Sequence, residues 1–198
     1  MILQPHDAEL FFKIWCSLLC HVNKTDRINS SLKTPEQIRT SSSESKLEIR
    51  TMLFANQQEM IKSFVEKNPY DFAEDILDIV TAFRYGFVGK FIILKSLKPY
   101  TIFLSTDSLP RTFGVKGLTT PYEDVLNQPL PAYYETVLLP FKGSIITDGI
   151  LCGGGITFGA GIRRSFNEGY KKAKATNGFL TTLPVDGQSF TPSFNLQI

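Results

Sequence analysis

Residues 153–164 of this chain have the types and spacing that could do chemistry. Gly153, Gly154, Gly155, Gly159 and Gly161 lead from a strand-like apolar stretch into Arg163 and Arg164. A strand, a glycine cluster and a helix start, in that order, present backbone N–H groups to an anion. Two arginines in a first helical turn oppose the positive end of the helix dipole, and a bound anion or acidic partner would relieve that conflict. Gly159, Gly161, Arg163 and Arg164 are therefore the candidate anion- or partner-binding residues. Two observations weigh on the other side. Neither GxxxxGK(S/T) nor GxGxxG after a parallel strand is present. Glycines also serve where a strand leaves a sheet and a helix packs closely. Arg164 with Glu168 forms an (i, i+4) pair, and Lys171, Lys172 and Lys174 suit a helix C-terminus.

Carboxylates and thiols are the other reactive groups. Asp107, Glu135 and Asp148 lie in or beside strand-like segments, and paired acids can hydrolyse a substrate. Asp107 and Asp148 sit in turn-like contexts that favour Asp for backbone reasons. Glu135 opens an apolar strand and, if buried, needs a partner such as Arg111, Arg163 or Arg164. Glu135 and Asp148 are the acid/base candidates. No GxSxG elbow exists, and both histidines, His6 and His21, belong to the first helical region. Cys16 and Cys20 are one helical turn apart and His21 follows, but a closed zinc site needs about four ligands. Only His6 and Cys152 remain as further donors, neither at motif spacing. Two small apolar residues on a buried helix face is the expected role, and no metal or cofactor is expected.

The first half must supply helices. Leu10, Phe11, Ile14, Trp15, Leu18, Leu19 and Val22 recur at three- and four-residue steps, with Asp7 as the expected N-cap. Thr34-Pro35-Glu36-Gln37 predicts a capping box, and the serine-rich run 41–45 predicts a break before a short helix over 47–53. Asn56 with Glu59, and Asp71 with Glu74, predict two further starts. Near Gly89 the pattern changes to short segments rich in β-branched and aromatic residues. Phe91–Leu94 and Tyr100–Leu104 predict a hairpin, 112–118 a weaker strand, and 134–139 and 143–151 two more, with Asp148-Gly149 as a hairpin turn or bulge. A helix is predicted over 162–175 and an edge strand over 179–183.

The fold class expected is α+β: a helical part over 1–88, and over 89–183 a small, strongly bent antiparallel sheet or SH3-like barrel with its helix at 162–175. An irregular tail is expected over 184–198. Sixteen phenylalanines predict an aromatic core. Residues 1–88 carry ten Lys/Arg and twelve Asp/Glu, a net −2, whereas residues 89–198 carry eleven and seven, a net +4. The overall +2 gives no global field toward nucleic acid or membrane. An odd cysteine count and a start without a basic, then apolar, leader suggest a reducing cytoplasm, and no membrane association is expected.

The segments Lys98–Leu104, Leu138–Gly149 and Phe158–Ser165 resemble those of an uncharacterised family of bacterial cytoplasmic proteins. The resemblance spans roughly residues 10–183 and is most specific over 98–165. It implies no established activity, and suggests only that Asp148, Gly149, Arg163 and Arg164 share a role. The expectation is a non-enzymatic binding or adaptor protein whose β part and basic helix start contact an acidic protein segment, nucleotide or nucleic acid, with Tyr100, Tyr133 and Tyr134 as stacking candidates for nucleic acid. The alternative is a hydrolase for a phosphorylated or glycosidic substrate with its anion site in 153–161.

Overall fold

The helices of the first half begin and end where local chemistry tells them to. In the computed structural model, which describes residues 2–126 and 128–184, α1 spans Pro5–Asp26 and buries Phe11, Ile14, Leu18 and Val22 completely. Its N-cap is Gln4, because Pro5 takes the first helical position and leaves Asp7 inside the first turn. Helix α2 (Pro35–Thr40) carries the capping box of Thr34 and Gln37. The serine run does not break the chain for long: Ser42 accepts from the Ser45 N–H and starts α3, Ser43–Ala55. Helix α4 (Gln57–Lys67) ends on Asn68, whose side chain bonds both backbone groups of Phe72. Helix α5 (Glu74–Ala82) is capped by Ala73 rather than Asp71, which has a positive φ in the preceding turn. These elements make one compact unit, residues 4–84.

The second unit, residues 85–184 with residues 2–3, contains the whole sheet. Its strands are β1 (Phe87–Ser96), β2 (Thr101–Ser105), β3 (Thr112–Lys116), β4 (Ala132–Phe141), β5 (Ser144–Thr147), β6 (Cys152–Gly153) and β7 (Phe179–Leu180). Helix α6 (Tyr122–Val125) lies between β3 and β4, and α7 (Ala160–Asn177) follows β6. The architecture is α+β with a bent, mixed sheet. Strand β1 is long enough to pair antiparallel with β2 through Phe91–Ser96 and with β4 through Phe87–Ile93. Strand β2 pairs with β3, β3 with β5 in parallel, and β5 with β4. The ladder therefore runs β1–β2–β3–β5–β4 and returns to β1. Past residue 184 the expected tail lies outside the described residues.

Both faces of the β1–β2 hairpin are covered. Phe91, Ile93, Phe103, Phe113, Val115, Leu138 and Ile145 form the inner cluster, to which α6 adds Tyr122. Ile92, Leu94, Ile102 and Leu104 point the other way and meet Ala173, Phe166 and Tyr170 of α7. Double-sided burial explains why these strands read as unbroken apolar runs instead of alternating ones.

Candidate functional site

Helix α7 starts at Gly159, an extended N-cap without a side-chain cap, and has no acidic residue in its first turn. A Cβ at Gly159 or Gly161 would meet nothing within 4 Å, so close packing does not demand glycine at either position. Gly153 and Gly154 differ. Both have positive φ, and a Cβ would run into the Tyr133 carbonyl at the first and the Tyr134 hydroxyl at the second. The Gly155 N–H is held by the Gln128 side-chain carbonyl. The cluster thus combines two glycines that pack against β4 with three, Gly155, Gly159 and Gly161, at which a Cβ would stand in open space.

The two arginines have separate surroundings. Arg163 is half-buried and folds back, its Nε donating to the Phe158 carbonyl at 2.8 Å. Arg164 is exposed and its Nε lies 3.1 Å from Glu168 Oε1, a solvated pair of small energetic value. Arg164, Glu168, Lys171 and Lys172 share one exposed side of α7, at steps of four, seven and eight. The opposite stripe, Phe166, Tyr170 and Ala173, is the one packed on β1 and β2. Lys95 on β1 reaches the Tyr170 ring, Nζ to centroid 5.2 Å.

Glu135 is half-buried in β4, where the register sets Lys90 opposite it on β1 and Cys152 on β6. The neighbour across the ladder is thus a lysine, a favourable opposite-charge pair of positions. Asp148 is buried, and its Oδ1 accepts the Ile150 N–H at 3.1 Å, an Asx turn over Gly149. Next to it the Tyr122 hydroxyl lies 3.0 Å from Thr147 Oγ1. Burial pushes that phenol up, the Thr147 hydrogen bond pulls it down and the Asp148 charge raises it further. The stacking candidates are all engaged: Tyr100 stacks on Phe179 at 4.6 Å, Tyr133 packs with the α7 cluster, and Tyr134 is buried in the inner cluster.

In the helical unit both thiols are free and buried. Cys16 is buried, which pushes its pKa up to about 11, and Cys20 Sγ donates to the Lys33 carbonyl at 3.4 Å. His21 is buried against Ser63 Oγ, 3.1 Å away. Among the described residues no three His, Cys, Asp or Glu side chains gather as a metal site.

The sequence reading missed a cavity of about 720 Å³ in this unit. Cys16 and Ser17 of α1 line it, with Phe12, Tyr70 and Phe72 as aromatic walls and Lys13, Lys24, Lys33 and Arg39 among its charged residues. Arg39 is held by both Glu9 oxygens, each at 2.8 Å, and lies over the Phe12 ring. One signal was available: Lys13, Ser17 and Lys24 fall on one side of α1, at steps of four and seven.

No protein family, curated protein or solved structure matches this chain. Among the described residues no helix is long and apolar enough to cross a membrane.

Proposed function

We propose that the protein is a non-enzymatic binding or adaptor protein, and that the outward side of α7 receives an acidic protein segment. One observation carries this reading. The helix is anchored on β1 and β2 by its apolar stripe, while its exposed side offers Arg164, Lys171 and Lys172 against one carboxylate, Glu168. An amphipathic helix held in this way is a preorganised cationic surface, which favours steering and register of an acidic partner.

A single-stranded nucleic acid is the less favoured partner, because stacking needs free aromatic faces and the three tyrosines are packed. A hydrolase is less favoured too. Asp148 serves a turn, Glu135 stands in a ladder opposite a lysine, and neither lines the cavity of the helical unit. The test is binding of a glutamate-rich peptide and of oligo-dT to the whole protein over a salt series. Preferential, salt-sensitive binding of the peptide, lost in an Arg164→Glu/Lys171→Glu/Lys172→Glu variant, is the expected result. Equal binding by the variant, or preference for oligo-dT, would overturn it.

A further inference from the structure

The cavity of the helical unit has the volume and the wall chemistry of a small-molecule site, and its charges are unbalanced. Its about 720 Å³ falls within the roughly 300–1,000 Å³ of ligand pockets. The unit as a whole carries ten Lys/Arg and twelve Asp/Glu, yet the cavity collects four cations against Glu9 and Glu36. Both carboxylates are already engaged. Glu9 holds Arg39 through two parallel bonds. Glu36 accepts from its own backbone N–H and from Thr34 at the start of α2, which holds its carboxyl below the usual range. Lys13, Lys24 and Lys33 make no ion pair among the described residues. Lys13 instead lies over the Phe72 ring, Nζ to centroid 5.5 Å.

We propose that this cavity binds a small organic carboxylate with a flat apolar body, its carboxylate among Lys13, Lys24 and Lys33 and its body between the Phe12, Tyr70 and Phe72 walls. The chemistry follows from what the walls lack. Three ammonium groups without a carboxylate partner favour an anion, and the three aromatic walls beside them favour apolar area over a bare phosphate. This proposal is independent of the α7 surface, which belongs to the other unit.

The test uses 2-naphthoate and its charge-reversed analogue, 2-naphthylmethylammonium, by calorimetry and saturation-transfer NMR on the full chain. Naphthoate should bind and the ammonium compound should not. A Lys13→Glu/Lys24→Glu variant should lose about tenfold or more in naphthoate affinity, equivalent to about 1.4 kcal/mol. Both lysines are exposed, and circular dichroism checks that the variant stays folded; Lys13→Gln/Lys24→Gln replaces it if it does not. Equal affinity for the two probes, no naphthoate binding at millimolar concentration, or unchanged affinity in a folded variant would each overturn the proposal.

Discussion

Gly169 offers a quantitative test of how α7 sits on the sheet. It is an interior residue of α7, and a Cβ built there would lie 3.7 Å from Leu104 Cδ2, an ordinary van der Waals distance. Glycine costs about 0.8–1.0 kcal/mol relative to alanine inside a helix, and a methyl at contact distance adds about 0.1–0.2 kcal/mol per atom pair. Gly169→Ala should therefore stabilise the β unit by about 1 kcal/mol. With a urea slope of about 1–3 kcal/mol/M, the midpoint of its transition should rise by about 0.3–1 M. The control is Gly114→Ala, where a Cβ would lie 2.7 Å from Phe179 Cε1 and 2.9 Å from Tyr100 Cγ. It would wedge apart a stacked pair, and overpacking of that kind costs about 1–3 kcal/mol. The same chemical change must act with opposite sign at the two sites. A loss of stability in Gly169→Ala, followed by circular dichroism, would refute the placement of α7 over Leu104.

Two further outcomes follow from the buried titratable groups. Burial, then the charges of Lys67 and Lys24, hold His21 below its usual pKa, so from about pH 7 downward the unfolded chain binds its proton first. Stability is then lost as pH falls through the unfolded value of about 6.5 and levels off below the folded one; His21→Gln should flatten that part of a urea midpoint-versus-pH curve, and an unchanged slope would contradict the burial argument. Of the three cysteines, Cys152 is half-exposed whereas Cys16 and Cys20 are buried, so a thiol–disulfide reagent should label native protein first at Cys152 and all three only after denaturation. Faster labelling at Cys16 would mean that the cavity floor opens.

Much of the fold was legible because local signals carried it. Thr34 and Gln37 form the capping box their spacing announces, and the α1 stripe is buried as its period requires. The long-range pairings were not legible. Nothing local in Thr112–Lys116 says that it will run parallel to Ser144–Thr147, and so the return of the ladder to β1 leaves no periodic trace. The hairpin between β4 and β5 turns on Lys142 and Gly143, both at positive φ, and not on Asp148-Gly149, which ends β5. In the candidate site, the basic helix start was readable from residue order. The hydrogen bond from the Arg163 side chain to the Phe158 carbonyl was not. The cavity escaped notice because its cations are scattered over α1, the segment before α2 and α2 itself, so no single motif contains them.

The central claim is that the solvent side of α7 is the surface a partner uses. Isotope-labelled protein titrated with a glutamate-rich peptide, read by amide shift changes, tests it most directly. The account predicts changes concentrated at Arg164, Glu168, Lys171 and Lys172, with the amides of β2 quiet beneath them. Changes centred on α1, or none along α7 while the peptide binds, would contradict it.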